Sequence, residues 1–251
     1  MFFTNLLEAN MQTKNFSFKY VYYPKTKSTN QDIWELYNHD DTKNYFVITD
    51  NQTQGRGRNN HPWISSPNKS ITCSFLLDQI FDEKKINFHS LIIPLAIIKG
   101  IKIFTGLKLS LKWPNDIIYN NRKLGGILIE SKKKQASYIF NIGIGINVNE
   151  DLDDFPNSIK NNVTSLKLIT QNNIQREPLM ASILNELDSL IDNNNIINEW
   201  INNCCHIDKK INFNYKNQSV EGIFKDINNN GQAIIQYNNK FILYGGAIQT
   251  V

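Results

Sequence analysis

Residues 109–149 read LSLKWPNDIIYNNRKLGGILIESKKKQASYIFNIGIGINVN. Four apolar runs within them, Leu109–Lys112, Ile117–Tyr119, Leu124–Glu130 and Tyr138–Val148, are separated by stretches too short to hold a helix, which predicts consecutive strands. Asn120-Asn121 has the chemistry of a hairpin bend. Strands linked so closely build an antiparallel or mixed sheet, because a doubly wound parallel sheet needs a long crossover between each pair. The short links therefore argue against a doubly wound nucleotide fold and leave an antiparallel or mixed sheet.

Working outward, Phe88–Phe104 has the length and apolar density of a buried helix despite Pro94 and Gly100. Ile71–Leu77, Tyr45–Thr49 and Phe16–Tyr23 read as further strands, and Ser28-Thr29-Asn30 can cap a helix running through Tyr37. Asp50 to Lys69, with Gly55, Gly57, Pro62 and Pro67, is a long loop of the kind kept for a use. Downstream, Pro178–Ile191 and Ile196–Asn203 predict two amphipathic helices. From Ile211 the pattern turns to short strands joined by Asn- and Gly-rich turns. This divides the chain into a main domain, residues 1–206, and a small barrel-like all-β domain, residues 207–251.

Across 251 residues, 27 Lys+Arg stand against 23 Asp+Glu, and 41% of residues are hydrophobic. That composition excludes a repeat array, a disordered tail protein and a collagen-like chain. A formal charge of +4 is too small to demand a nucleic-acid polymer but suits a small anionic substrate in a local basic pocket. The excess gathers between Lys112 and Lys134, where six cations face Asp116 and Glu130. The Lys132–Lys134 run within it reads as a solvated hairpin turn. Cys73, Cys204 and Cys205 lack metal-ligand spacing, and no leader or ~20-residue apolar span is visible, so reduced thiols in a cytoplasmic protein away from membranes are expected.

Chemistry concentrates in a few motifs. Gly55-Arg56-Gly57-Arg58 places two guanidinium forks beside bare backbone, an arrangement suited to phosphate but also found in RNA-binding segments and plain loops. Lys112-Trp113-Pro114-Asn115-Asp116 ends a strand; a Pro-Asn turn with Trp113 in the core explains the Trp, Pro and Asn but not the two charges. Lys123 precedes Gly125-Gly126 inside a strand, where glycines mark close backbone approach. In Asn141–Asn149 glycine alternates with isoleucine, leaving one face bare for a planar ligand. Gly143 and Gly145 are not a dinucleotide fingerprint, since no helix follows.

Ser28-Thr29-Asn30, the GRGR loop with Trp63 after it, KWPND, RKLGGIL and GIGINVN, in this order, resemble a biotin protein ligase from about Tyr20 to the C-terminus. The resemblance implies an α+β fold: a catalytic domain with a mixed β-sheet flanked by helices, of the class II aminoacyl-tRNA synthetase-like kind, and a small C-terminal SH3-like barrel. It implies that biotin and ATP with Mg²⁺ give biotinyl-5′-AMP, from which biotin passes to a lysine of a biotin carboxyl carrier protein. It further implies that Ser28, Thr29, Asn30, Gln52, Gly55, Arg56, Gly57, Lys123, Gly126 and Gly145 contact biotin. Arg58, Trp63, Lys112, Asn115, Lys123 and Asn147 would contact ATP or the adenylate, with Mg²⁺ near Asn147 if anywhere.

Lys123 and Arg58 would oppose the charge of the two anions, and Asp116 would orient or deprotonate the acceptor lysine. Lys112 serves the phosphate or pairs with Asp116. The sequence departs from the family in Asn59-Asn60-His61-Pro62, where a further Gly and Arg are usual, with one cation lost and His61 facing solvent. About twenty residues precede the first family strand, too few for a helix-turn-helix, so no specific DNA binding or repressor activity is expected. Monomer and homodimer both remain open. A lipoate or octanoate ligase or transferase is the nearest rival, and the polar Ser28-Thr29-Asn30 favours a ureido head over a bare acyl chain.

Overall fold

A computed structural model of the chain describes residues 1–79, 88–134, 137–191, 193 and 195–250. Its strands are β1 (Lys19–Tyr23), β2 (Tyr45–Thr49), β3 (Gly55–Arg56), β4 (Pro62–Trp63), β5 (Ile71–Gln79), β6 (Ser110–Lys112), β7 (Asp116–Tyr119), β8 (Arg122–Lys134) and β9 (Ser137–Ile146). Seven of them form one sheet in the order β1-β2-β5-β9-β8-β7-β6, while β3 and β4 pair separately within the long loop. Only β1 and β2 run parallel; the other pairs are antiparallel, so the sheet is mixed. Asn120 and Asn121 turn β7 into β8 with φ of 47° and 63°, the left-handed pair a two-residue hairpin needs.

Side-chain alternation gives the sheet two different faces. On one, Phe46, Ile48, Ile71, Phe75, Phe140, Ile142 and Ile144 join the large core with α3 (Phe88–Thr105) and α5 (Arg176–Leu190). The two helices cross at Gly100, where an added Cβ would lie 2.6 Å from the Cα of Ile183, which explains a glycine inside α3. On the other face, α2 (Thr29–His39) covers only part of the sheet, closing a small cluster of Ile33, Tyr45, Val47, Leu76 and Ile139. The remainder of that face stays open.

Two short helices were not expected. α1 (Thr4–Asn10) buries Leu7 and lies on α5, and α4 (Leu166–Thr170) is capped by Ser165. The Lys132–Lys134 run is also corrected: it forms the end of β8, with Lys132 Nζ 4.1 Å from the Trp34 ring centroid and Lys134 2.9 Å from Asp41. Residues 135 and 136, between β8 and β9, lie outside the described residues.

After α6 (Ile196–Asn203) come β10 (Lys210–Tyr215), β11 (Gln218–Ile227), β12 (Ala233–Tyr237), β13 (Lys240–Tyr244) and β14 (Ile248–Thr250), antiparallel in the order β13-β12-β11-β10-β14. Lys216-Asn217 and Asn238-Asn239 repeat the left-handed hairpin turn. Trp113 joins this sheet to the larger one. Its indole donates to the Gly231 carbonyl at 3.1 Å and packs against Phe224 and Tyr244. Among the described residues, no helix is long and apolar enough to cross a membrane.

Candidate active site

On the open face, register sets β5, β9 and β8 side by side in three rows: Thr72–Gly145–Gly126, Ser74–Gly143–Leu128 and Leu76–Asn141–Glu130. The last row is covered by α2, where Trp34 Nε1 donates to Glu130 at 2.8 Å and Asn141 donates to the Asn30 carbonyl at 2.8 Å. The middle row meets the first turn of α2. The hydroxyls of Ser74 and Thr29 are 2.7 Å apart, Ser74 donates to Asn30 Oδ1 at 2.9 Å, and Gln52 Oε1 accepts from the Thr29 amide at 2.9 Å. A side chain at Gly143 would overlap Asn30, and one at Gly145 would overlap the Trp63 indole, so both floor positions must be bare.

Above this floor is a cavity of about 280 Å³. Arg56, Arg58, Lys112 and Lys123 line it, and Asp116 is the one carboxylate in the lining among the described residues. Asp116 lies 2.7 Å from Lys123 Nζ. Lys112 pairs with no carboxylate among the described residues, so of its two sequence readings the pairing with Asp116 is not the one formed. Burial pushes the Arg58 guanidinium below its ordinary pKa, against the pull of Asp116. Asn30 Nδ2, Thr72 Oγ1 and Trp63 Nε1 are buried and have no hydrogen-bond partner in the chain, and the Trp63 ring centroid lies 5.9 Å from Lys123 Nζ. Native proteins seldom leave buried polar atoms orphaned, and here all three residues line the cavity.

The structure brings Thr29, Asn30, Gln52, Arg56, Gly57, Arg58, Trp63, Lys112, Asn115, Asp116, Lys123, Gly126 and Gly145 to one cavity. Three expected residues do not line it. Ser28 is the buried N-cap residue of α2, its side chain making no capping bond, and Gly55 packs against Gln52 and the Trp63 carbonyl. Asn147 is buried with its amide on the Thr164 carbonyl at 2.9 Å. Asn115 pins its own amide to the Ile127 carbonyl at 2.8 Å, across the cis Trp113-Pro114 bond from the C-terminal sheet. His61 is exposed at the rim. Thr72 and Ser74 were missed; hydroxyls at alternate positions of the apolar run Ile71–Leu77 were the available signal. Among the described residues no cluster of His, Cys, Asp and Glu is arranged to hold a metal.

Residues 22–149, which carry most of this sheet and cavity, match the pattern described as "Biotin/lipoate A/B protein ligase family". The chain belongs to that family. Residues 206–251 match the biotin protein ligase C terminal domain. Among relatives, the bifunctional ligase/repressor BirA of Bacillus spizizenii is 35% identical over 167 residues, 65% of this chain and 51% of its own length. The biotin–[acetyl-CoA-carboxylase] ligase of Mycobacterium tuberculosis is 27% identical over 172 residues, 66% of this chain and 62% of its own. The chain thus spans about half the length of the first of these relatives. A biotin protein ligase from Aquifex aeolicus, solved in complex with biotin and ATP, shares the fold with a TM-score of 0.78 at 23% identity, covering 94% of this chain and all of that one.

Proposed function

We propose that this chain is an ATP-dependent biotin protein ligase, a biotin–[acetyl-CoA-carboxylase] ligase, forming biotinyl-5′-AMP and passing biotin to one lysine of a biotin carboxyl carrier protein. The observation that carries the reading is the mixed lining of one cavity: orphaned, uncharged Asn30, Thr72 and Trp63 atoms over a glycine floor, together with Arg56, Arg58, Lys112 and Lys123. The uncharged part suits a ureido head and the cationic part suits a carboxylate meeting a triphosphate. A bare acyl chain would leave the orphaned groups unpaired, which disfavours lipoate or octanoate.

In the first step a biotin carboxylate oxygen attacks the α-phosphorus and the bond to pyrophosphate breaks. Both reactants are anions, so Lys123 and Arg58 offset their repulsion and the charge building on the α-phosphoryl oxygens. Lys112, free of Asp116, serves the phosphates. Mg²⁺ arriving with the nucleotide would add positive charge there; with the Asn147 amide turned to Thr164, Asp116 and the Asn115 amide oxygen are the lining groups that would hold it. In the second step the acceptor amine attacks the acyl carbon and AMP leaves. Asp116, once Lys123 turns to the ligand, takes the amine proton.

The three free cysteines fit a reducing cytoplasm, and we place the domain boundary at residues 206/207. DNA binding forms no part of this reading. Incubation with ATP, Mg²⁺, labelled biotin and a candidate carrier domain tests it. The expected result is a labelled carrier lysine with release of AMP and pyrophosphate; labelling by lipoate but not biotin, or no adenylate at all, overturns it.

A further inference from the structure

The loop bearing Gln52, Arg56, Arg58 and Trp63 leaves the sheet after β2 and returns at β5, and both stems meet one side chain far along the chain. Arg176, the first residue of α5, gives Nη2 to Asp50 Oδ1 at 2.9 Å and Nη1 to the Ser70 carbonyl at 3.0 Å. The side chains of Arg176 and Asp50 are 7% and 5% exposed, so a charged pair is buried here at a desolvation cost that packing alone would not require. Asp50 is further held by the Tyr22 hydroxyl at 2.5 Å, and its carbonyl accepts from the Asn68 amide at 2.9 Å. The Ser70 hydroxyl donates to Glu150 and accepts from the Ser66 amide. Phe2 closes the site over the guanidinium, 5.5 Å from its Cζ.

Arg176 does not line the cavity. Nor does α5 need it to dock, since Leu179, Met180, Ile183, Leu184 and Leu187 are buried in the core. We infer that Arg176 is a positioning residue for the ligand loop: its planar fork fixes the separation of the two stems and so the height at which Trp63 and Arg58 stand over the glycine floor. Lysine, with a single point of charge, cannot hold both acceptors in that geometry.

This inference rests on the ligase reading above, so the test begins with wild-type chain. Arg176→Lys and Arg176→Met, in the full chain, are compared with it for biotin KM and kcat in ATP–pyrophosphate exchange, for escape of adenylate, and for trypsin cleavage after Arg56 and Arg58 without ligand. Loss of one charge-assisted anchor should raise biotin KM and adenylate escape about tenfold, with kcat changed far less. Cleavage after Arg56 and Arg58 should accelerate by a similar factor, Arg176→Lys falling between wild type and Arg176→Met. Unchanged KM, escape and cleavage in folded variants overturn the inference, as does activity lost only in proportion to folded protein. Should Arg176→Met fail to fold, Asp50→Asn carries the same readouts. A wild-type chain that forms no adenylate sinks the ligase reading instead, while the cleavage comparison still decides the role of Arg176.

Discussion

Along β9 the even-numbered Phe140, Ile142 and Ile144 lie in the core beneath α3, whereas the odd-numbered Asn141, Gly143 and Gly145 face α2 and the cavity. One strand thus satisfies two demands at once through its period of two. The core side is filled with branched carbon, while the cavity side is emptied of it and leaves polar atoms waiting for a partner. Substitutions on the two sides should therefore divide cleanly between stability and ligand handling.

The largest separation is expected at Lys123. Lys123→Ala should lower the rate of adenylate formation by about 10²–10³-fold, the usual loss on removing a group that meets transition-state charge. Its partly exposed pair with Asp116 contributes little to folding, so the unfolding midpoint should hardly move. Near-normal pyrophosphate exchange would remove Lys123 from its assigned role. On the opposite face, Ile142→Ala should cost roughly 3 kcal/mol of stability in denaturant titration by leaving a cavity in the core. Biotin KM of the folded fraction should stay the same; a large KM change would show that the faces are not independent.

Glu150 is buried a few residues past the end of β9. Burial pushes its carboxyl up to about 7, against the opposing Ser70 hydrogen bond. Because this folded-state value lies above the unfolded one, the group favours the fold fully below pH 4.5, and that contribution is lost as pH rises through about 7. The swing is on the order of 3 kcal/mol at most. Glu150→Gln should flatten this slope in unfolding measurements across the range, and an unchanged slope would place the titration elsewhere. The smallest effect is expected at Thr72. Thr72→Val removes an orphaned hydroxyl, so thermal stability should hold or rise while biotin binding weakens by about 1 kcal/mol in calorimetry. Binding unaffected by the change would mean that the ligand never reaches that hydroxyl.

Much of this division could be read before any coordinates. The short links between residues 109 and 149 point to an antiparallel or mixed sheet, and alternation of Gly with Ile marks a bare face, because strand periodicity is a local property. Asn120-Asn121 was legible for the same reason. What could not be read were contacts distant in sequence. Asp116 has Lys112 as its cross-strand neighbour yet pairs with Lys123, across the register shift at Ile117/Ile118. Asn147, adjacent to the glycine strand, turned out to bond Thr164. Lys132 carries the polarity of a turn but rests on Trp34, because a lysine stem can lie on an aromatic ring. Arg176 gave no signal at all, since its partners lie more than a hundred residues upstream.

Ala247 and Ile248, from the last strand of the small sheet and the bend before it, also stand in the cavity wall. Trimming away those final residues would consequently produce no pared-down enzyme with a simpler outline. It would take away part of the wall, and on the proposed reading leave the mixed anhydride more exposed to water.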